Sequence, residues 1–362
     1  MTAAATRKTR TVCITGGLGF VGARLCEALL DEGRVVRCVD SLVGRYAAGS
    51  GPAAAARLAA RGAEIVRAHV GTASDQVVLD GADAVIHLAA LPGVRSSRPV
   101  AELLRENALA SERLARAAAE RGARFVLAST SSVYGDAAFL PTPEHAPPAP
   151  LSAYALSKLA AERACLAAAS QRGAEVVVVR LFTVYGPGQR PDMAFARWIR
   201  ALTAGSPLPW HARSGAVRDF TYVDDAVAGL TAALDRGRPG QAYNVSGHAP
   251  VGVREALAVI ERVVGRSAAL DRVRPSSGEA RVTAGCPRKA AAELGYVPRT
   301  PLVEGVESQV AATRGATAEP RLAERARARA ARRRSGLESR AAARGSEWLR
   351  PAVPRDAATS RG

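Results

Sequence analysis

Residues Thr11-Val-Cys-Ile-Thr-Gly-Gly-Leu-Gly-Phe-Val-Gly22 place a short apolar strand directly before a glycine-rich turn. Gly16, Gly19 and Gly22 have the spacing G-x-x-G-x-x-G, and a helix is predicted from this turn to about Asp31. Glycine permits the tight turn and lets the backbone approach a pyrophosphate, whose charge the helix N-terminus stabilises. This stretch therefore predicts a dinucleotide site at the start of an α/β domain.

An acidic residue ends the second predicted strand, Val35–Val39. Asp40 lies 18 residues after Gly22. A carboxylate at this place accepts hydrogen bonds from ribose hydroxyls and would repel a 2′-phosphate. We therefore predict NAD, rather than NADP, as the cofactor.

Strand-like and helix-like segments alternate through the first half of the chain. Further strands are predicted at Glu64–Arg67, Ala84–His87, Arg124–Ala128 and Glu175–Arg180, and helices at Pro52–Arg61, Val100–Arg121 and Ser152–Arg172. This alternation predicts a parallel sheet covered by helices on both faces. Beyond Arg180 we predict a helix at Met193–Ala204, a strand around Arg218, a helix from Asp224, a strand at Gln241–Val245, and helices at Arg254–Val264 and Leu302–Ala312.

The predicted fold class is α/β: a Rossmann-type doubly wound parallel sheet with a smaller C-terminal substrate-binding domain. Residues 1–180 are assigned to the NAD-binding domain, with 219–246 returning to it. Residues 181–218 and 247–312 are assigned to the substrate-binding domain. Residues 313–362 are predicted to be a basic, disordered tail, since this part is rich in arginine and alanine.

The net charge of +17 invites a nucleic-acid interpretation, but the distribution of the charge argues against it. From Arg314 onward thirteen arginines face five acidic residues, so this tail alone supplies +8. Because aromatic residues are nearly absent from the tail, we predict no specific nucleic-acid partner. No apolar run reaches the ~20 residues of a membrane span. Five cysteines without metal-ligand spacing predict free thiols, no metal site and a cytoplasmic location.

Two further motifs predict the chemistry: Thr130-Ser131-Ser132 and Tyr154-Ala-Leu-Ser-Lys158. The spacing of Tyr154 and Lys158 places the phenol and the ammonium on one helix face. Lowering the pKa of a phenol from ~10 to near neutrality requires ~3 units, or ~4 kcal/mol, which a lysine and a cationic nicotinamide ring can supply together. Only three lysines stand among the 50 basic residues, and lysine can join a proton relay that arginine cannot. Alternatively, Lys158 lies on the surface of an amphipathic helix.

With these motifs the chain resembles the extended short-chain dehydrogenase/reductases that act on nucleotide sugars. The resemblance covers about residues 11–312. It depends on the glycine turn, on His87-Leu-Ala-Ala90, Ser132-Val-Tyr-Gly135 and the Tyr154/Lys158 pair, and on Arg218-Asp-Phe-Thr-Tyr-Val-Asp-Asp225. Within the family the chain is most similar to UDP-glucuronic acid 4-epimerases, through Gly93-Val-Arg95 and Phe182-Thr-Val-Tyr-Gly-Pro-Gly-Gln-Arg-Pro-Asp-Met193.

The resemblance implies a redox cycle at C4 of a UDP-hexuronate. Tyr154 would take the proton of the 4-hydroxyl, Lys158 would support it, and Thr130 would relay the proton. The cofactor-binding residues implied are Gly16, Gly19, Phe20, Val21, Asp40, Leu88, Ala89, Ala90, Tyr154 and Lys158. The substrate-binding residues implied are the hydroxyls Ser131, Ser132 and Thr183, for the sugar carboxylate, and the cations Arg95, Arg190, Arg218 and Arg281. Arg281 could equally belong to an arginine-rich surface.

Rival functions remain open at this level. UDP-glucose 4-epimerase is the first alternative, followed by UDP-glucuronate decarboxylase and sugar 4,6-dehydratase. In the resemblance, dehydratases carry Asp-Glu after the threonine, and decarboxylases carry glutamate where Ser132 stands. Elimination needs such an acid and base, and this chain has two serines there. The non-enzyme alternative is an NAD-binding regulatory protein.

Two positions depart from the pattern of the family. The family often has Gly-Asp after the third strand, where this chain reads Arg67-Ala-His69-Val, so either His69 or backbone alone is expected at the adenine. Gly285 stands where relatives often have aspartate. The resemblance also implies a homodimer built on the helices near Val100–Arg121 and Ser152–Arg172.

Overall fold

The computed structural model describes residues 11–43, 50–93, 98–211, 215–273 and 278–315. The predicted tail beyond residue 315 and the predicted substrate residue Arg95 lie outside this part of the chain.

A parallel sheet of seven strands forms the larger layer of the fold, in the order β10-β6-β5-β4-β1-β2-β3. Its strands are β1 (Thr11–Thr15), β2 (Val35–Asp40), β3 (Glu64–Arg67), β4 (Ala84–His87), β5 (Arg124–Thr130), β6 (Val176–Leu181) and β10 (Ala242–Val245). Strand order reverses beside β1, so the carboxyl ends of β1 and β4 flank a crevice suited to a ligand.

Helices cover both faces of this sheet. They are α1 (Phe20–Asp31), α2 (Ser50–Ala60), α3 (Asp75–Leu79), α4 (Val100–Leu103), α5 (Ala110–Glu120), α6 (Ala153–Arg172) and α8 (Val223–Arg236). A π-helical turn, Leu104–Leu109, joins α4 to α5. One core contains Leu25, Leu58 and Leu230 from α1, α2 and α8, and the other contains Leu114 and Ala161 from α5 and α6.

Smaller sheets and three helices build the second part of the fold. Strands β7 (Thr183–Tyr185), β9 (Val217–Tyr222) and β11 (Pro250–Gly252) form one sheet, and β8 (Leu208–Trp210) pairs with β12 (Leu270–Arg272). Helices α7 (Ala194–Ala204) and α9 (Val253–Val264) and a helix α10 at residues 302–315 pack with them. Their core is aromatic, with Tyr185, Phe195, Trp198 and Phe220 in contact.

The α/β fold class and the parallel sheet are confirmed, and most predicted strands of the large sheet match within two residues. The sequence reading missed α3 and the three-residue strands β7, β8, β11 and β12. All five cysteines are buried as free thiols, as predicted. The domain boundaries stay a prediction, although β10 does join the large sheet beside β6.

Candidate active site

The glycine turn packs too closely for side chains at two of its positions. Gly16 has a φ of +70°, a left-handed conformation that favours glycine. A Cβ atom on Gly22 would lie 2.2 Å from the carbonyl oxygen of Gly16, and one on Gly16 would lie 2.8 Å from the backbone nitrogen of Ala89. The start of α1 is therefore held against the loop after β1, which is the tight turn that the glycine spacing predicts.

Asp40 lies beside this turn at the carboxyl end of β2. Its buried carboxylate accepts hydrogen bonds from the backbone N–H of Leu18, at 3.0 Å, and of Leu42, at 2.9 Å. Asp40 therefore presents a buried carboxylate at the carboxyl end of β2, directly beside the glycine turn.

The segment Leu88-Ala89-Ala90 forms the opposite wall of the crevice. The backbone N–H of Leu88 donates to the carbonyl oxygen of Thr15 at 3.0 Å, which continues the pairing of β4 with β1 beyond the strand ends. Phe20 and Val21, the first residues of α1, are partly buried against the aromatic core of the second part. The predicted cofactor residues of the glycine turn, β2 and β4 therefore meet at one edge of the sheet.

A buried polar chain behind this wall was not predicted from the sequence. Thr15 Oγ1 and His87 Nδ1 lie 2.6 Å apart, and His87 Nε2 lies 2.9 Å from Ser111 Oγ. Burial, with Lys158 second, lowers the pKa of His87 to about 3, so the imidazole is neutral. The alternation pattern marks His87 only as a strand residue.

Asn107 extends this chain from the π-helical turn towards the helix of Tyr154. Its amide brackets Leu91, accepting from the Leu91 N–H at 2.7 Å and donating to the Leu91 carbonyl at 3.0 Å. It also donates to Ser157 Oγ at 2.9 Å, and Ser157 donates to the Tyr154 carbonyl at 2.8 Å. An asparagine in the interior of a predicted helix is unfavourable unless its side chain has a hydrogen-bond partner. The position of Asn107 in such a helix could therefore have indicated these hydrogen bonds.

Helix α6 presents Tyr154 and Lys158 one turn apart, as predicted. Ser152 caps the helix by accepting from the N–H of Ala155 at 3.2 Å. Lys158 is 2% exposed, and no described residue lies within hydrogen-bond distance of its ammonium group. Burial lowers the pKa of Lys158 to about 8, partly opposed by Cys165 and Glu162. A buried ammonium with its donors available fits the hydroxyls of a cofactor ribose.

The pKa of Tyr154 moves upward in the polypeptide alone. Burial raises this pKa, while Arg190 and a hydrogen bond with Thr130 lower it. The sequence predicts that Lys158 and a cationic nicotinamide ring together shift this pKa towards neutrality, but Lys158 is not among the groups that lower it in the polypeptide. In the polypeptide alone, therefore, the groups that favour the phenolate are Arg190 and Thr130, and neither prevails over burial.

The hydroxyl residues leave the sheet side by side at the ends of β5 and β6. Thr130 pairs in register with Leu181, and Thr183 follows two residues later as the first residue of β7. Thr130 Oγ1 donates to Ser132 Oγ at 3.1 Å and accepts from the Ser132 N–H at 3.2 Å. Ser132 and Thr183 are half-buried, whereas Ser131 is 6% exposed.

Two of the predicted substrate cations, Arg190 and Arg218, already contact other groups of the protein. Arg190 forms a bidentate ion pair with Asp192, with both N–O distances at 3.0 Å. Arg218 lies 3.6 Å from a carboxylate oxygen of Glu279 and donates to the carbonyl of Arg281 at 3.1 Å. The exposed Arg281 joins this group through its backbone, so the structure relates it to Arg218 without assigning a role to its guanidinium.

The two departures from the family pattern receive structural accounts. His69 lies exposed after β3, where Nε2 is 3.5 Å from Glu106 and Nδ1 accepts from the Gly71 N–H at 3.2 Å. At Gly285 a Cβ atom would lie 2.7 to 2.9 Å from Ser246 and the Phe182 ring, and its N–H donates to Asp219 at 3.0 Å. A side chain at position 285 would therefore require the Phe182 ring to pack in a different place.

Two kinds of feature, a metal-binding cluster and a membrane-spanning helix, are absent from the described residues. No group of three or more His, Cys, Asp or Glu side chains in this part of the chain could hold a metal ion. Within the same residues, every helix is too short or too polar to cross a membrane.

Comparison with known proteins agrees with this geometry. The model of the NAD dependent epimerase/dehydratase family matches residues 12–246. The chain is 36% identical to YtcB of Bacillus subtilis (strain 168), an uncharacterized UDP-glucose epimerase, covering 83% of this chain and 96% of YtcB. It is 30% identical to the UDP-glucuronate 4-epimerase of Thermodesulfobacterium geofontis (strain OPF15), covering 82% and 94%.

Solved structures give the same picture. The UDP-glucuronic acid 4-epimerase of Bacillus cereus, in complex with UDP-glucuronic acid and NAD, superposes with a TM-score of 0.80 at 31% identity, over 84% of this chain and 99% of that one. MoeE5, in complex with UDP-glucuronic acid and NAD, gives 0.76 at 37% identity, over 84% and 99%. With the glycine turn, Asp40 and the Tyr154/Lys158 pair in place, the chain belongs to the NAD-dependent epimerase/dehydratase family of nucleotide-sugar enzymes.

Proposed function

We propose that this protein interconverts UDP-glucuronate and UDP-galacturonate by epimerisation at C4 of the sugar. The observation that carries the proposal is the set of hydroxyls Ser131, Ser132 and Thr183, which leave neighbouring strand ends next to Thr130 and contain no carboxylate. Hydroxyl donors suit a substrate carboxylate, since hydrogen bonds to an ionised acceptor are the stronger ones. The likeness to UDP-glucuronic acid 4-epimerases supports the same substrate.

UDP-glucose 4-epimerase activity is the second candidate, favoured by the likeness to YtcB. MoeE5 has been crystallised with UDP-glucose as well as with UDP-glucuronic acid, so this type of site admits both sugars. A dTDP-glucose 4,6-dehydratase of Streptomyces griseus is 32% identical. Elimination of water needs an acid and a base, and Ser131 and Ser132 supply neither.

The proposed cofactor site consists of Gly16, Gly19, Phe20, Val21, Asp40, Leu88, Ala89, Ala90, Tyr154 and Lys158. The backbone of the turn would approach the pyrophosphate, and Asp40 would accept from a ribose. The buried ammonium of Lys158 would donate to the other ribose. Bound NAD supplies the acceptor for the hydride at C4 and the donor for its return.

The protein's own part in the reaction is proton transfer and orientation. Tyr154 would take the proton of the 4-hydroxyl as the sugar is oxidised, and would return it to the 4-keto sugar after the ring has turned over. Thr130 would hydrogen-bond the same oxygen. Arg190 and Arg218, with Arg95 and Arg281, would hold the phosphates so that only the sugar rotates.

The carboxylate must also be kept from leaving as CO2, because a 4-keto uronate is a β-keto acid. Decarboxylation is fastest when the C–CO2 bond aligns with the carbonyl π system. We expect Ser132 and Thr183 to hold the carboxylate away from that alignment.

Ser132→Ala and Thr183→Ala are therefore expected to release more UDP-pentose. Loss of one hydrogen bond to a charged group costs ~1.5 to 3 kcal/mol, so the fraction of turnovers ending in decarboxylation should rise by roughly tenfold or more. NMR of the product mixture measures this fraction. Ser170→Ala, which removes an exposed hydroxyl at the far end of α6, is the matched control. If neither variant released more UDP-pentose than the wild type, the proposal that Ser132 and Thr183 hold the sugar carboxylate would be wrong.

The decisive test of the reaction is NMR of the product formed from UDP-glucuronate without added cofactor. We expect inverted stereochemistry at C4, a retained carboxylate and no net NADH. Parallel incubations with UDP-glucose and dTDP-glucose separate the rivals. The proposed reaction would be contradicted by any of three products: UDP-galactose formed faster, which indicates UDP-glucose 4-epimerase, a UDP-pentose, which indicates the decarboxylase, or a 4-keto-6-deoxy sugar, which indicates the dehydratase.

We further propose a cytoplasmic homodimer in which the face formed by α4, α5 and α6 meets its copy. Its support is two exposed leucines on this face, Leu109 (59% exposed) and Leu156 (44% exposed), while five buried free thiols suit a reducing compartment. Light scattering of the purified protein gives the mass directly. A monomer at micromolar concentration would contradict the dimer.

A further inference from the structure

An ion pair is buried behind the catalytic residues, between α6 and β6. Arg180 is 7% exposed and Glu162 is 2% exposed. The guanidinium donates from Nη2 to Glu162 Oε2 at 2.7 Å, and from Nε to both carboxylate oxygens, at 3.1 and 3.2 Å. Buried ion pairs are costly to desolvate, so one is weak evidence for stability and a reason to ask for another role.

This pair contacts each of the elements that carry the predicted chemistry. Glu162 lies one helical turn after Lys158 on α6, and it accepts a hydrogen bond from Ser129, the residue before Thr130. Arg180 donates to the Tyr134 hydroxyl at 2.7 Å. Tyr134 ends the short 3-10 turn that contains Ser131 and Ser132.

Further bonds fix the far side of the pair. Arg180 also donates to the carbonyl oxygen of Glu144 at 2.9 Å, and the Tyr134 hydroxyl donates to Asn244 Oδ1 at 2.8 Å. Asn244 belongs to β10, the neighbour of β6 in the sheet. The pair is therefore held from β5, β6, β10 and α6 at once.

Few titratable groups influence the charge of the buried Lys158 ammonium. Burial lowers the pKa of Lys158, and Cys165 and Glu162 on α6 partly oppose this shift. From β4, His87 faces the lysine as a neutral ring. Of these groups only Glu162 carries a full negative charge, and Arg180 is the cation that balances it.

We propose that Glu162 and Arg180 are positioning residues that hold Lys158, Thr130 and the Ser131–Ser132 turn in one arrangement, and that the Glu162 carboxylate is the counter-charge of the buried Lys158 ammonium. The proposal rests on the catalytic roles proposed above for Thr130, Tyr154 and Lys158. Arg180 limits the effect of Glu162 by sharing its charge. The two members of the pair therefore act on Lys158 with opposite sign.

The chain's unusual composition provides a direct measurement. Because it contains only three lysines, protein labelled with ¹³Cε-lysine gives three side-chain signals, and Lys158→Arg identifies the signal of Lys158. A pH titration of the NAD-saturated protein by NMR then reports its midpoint without any turnover. Failure of the epimerase assay therefore cannot be confused with failure of this inference.

We expect the Lys158 midpoint to move in opposite directions in two variants. Glu162→Gln removes the counter-charge, so the titration midpoint of Lys158 should fall by about one pH unit. A shift of this order is expected when one charge interaction is lost at an effective dielectric near 20. Arg180→Gln leaves the carboxylate with Lys158 as its remaining cation, so the midpoint should rise. The alkaline limb of the kcat profile should shift in parallel with each midpoint.

Controls separate this effect from structural damage. Ser129→Ala removes one hydrogen bond to Glu162 but neither charge, so the Lys158 midpoint should stay close to the wild-type value. Burial lowers the pKa of Lys289, Glu144 and Glu293 raise it, and Arg238 and Arg180 lower it. Because Glu162 is not among these groups and Arg180 is, Lys289 is an internal reference in Glu162→Gln only. Where a single variant does not fold, the double variant Glu162→Gln/Arg180→Gln leaves no unpaired charge, and the midpoint should still fall. Shifts of the same sign in both single variants, or no shift in the folded ones, would overturn the proposal.

Discussion

Tyr154→Phe is expected to lower kcat by ~10³-fold while the protein still binds NAD and nucleotide sugar. General acid–base catalysis contributes ~10²- to 10⁴-fold, and the phenol of Tyr154 forms a hydrogen bond with Thr130 and interacts with the charge of Arg190. The substitution removes one oxygen atom and leaves the ring, so KM should change little. Steady-state kinetics with the accepted nucleotide sugar and calorimetric binding of NAD measure the two quantities.

Tyr296→Phe is the matched control for this experiment. It removes a phenol oxygen of equal size from a buried site, where the hydroxyl donates to the Ser246 carbonyl at 2.7 Å. We expect a loss of stability of ~1 kcal/mol, typical of one hydrogen bond, with kcat unchanged. A Tyr154→Phe enzyme that keeps more than a tenth of the wild-type kcat would show that another group moves the proton.

Gly22→Ala is expected to abolish retention of NAD and to destabilise the fold by roughly 3 kcal/mol. The added Cβ would lie 2.2 Å from the Gly16 carbonyl oxygen and 2.8 Å from the Gly17 Cα. Both atoms are backbone, so the start of α1 must move away from the turn. We expect the same displacement to weaken NAD binding by ~3 kcal/mol as well, which corresponds to a Kd for NAD about 100-fold higher. Thermal unfolding and fluorescence titration with NAD provide the readouts.

Gly19→Ala separates packing of the turn from contact with the cofactor. Gly19 has a φ of −71°, and its added Cβ would lie 3.2 Å from the same carbonyl oxygen. The unfolding temperature should therefore change far less than in Gly22→Ala, while NAD binding weakens if a pyrophosphate approaches this backbone. Equal unfolding temperatures in the two variants would contradict the packing argument.

Sequence patterns predict the local structure of the proposed NAD-binding edge well, because each of its requirements is local. The apolar strand, the G-x-x-G-x-x-G turn and the acid after β2 are set by residues close together in the chain, and β1 and α1 form as predicted. Tyr154 and Lys158 follow from helical spacing alone.

The parts that sequence reasoning missed depend on distant partners. Three-residue strands such as β7 and β11 are too short to show periodicity and form only because β9 lies between them. The hydrogen bonds of His87 and Asn107 join residues between 16 and 72 positions apart. Glu162 and Arg180 look like ordinary helix and strand residues until the fold brings them together.

The step from β6 to β7 has a consequence for how the substrate range of such enzymes can evolve. A single residue, Phe182, separates the last strand position that pairs with β5 from Thr183, which pairs with β9 instead. Thr130, which ends β5 in the large sheet, and the proposed sugar-sensing hydroxyl at 183 therefore belong to different sheets. Under the proposed assignment, a single substitution at position 183 can change which sugar is accepted without altering Thr130, Tyr154 or Lys158.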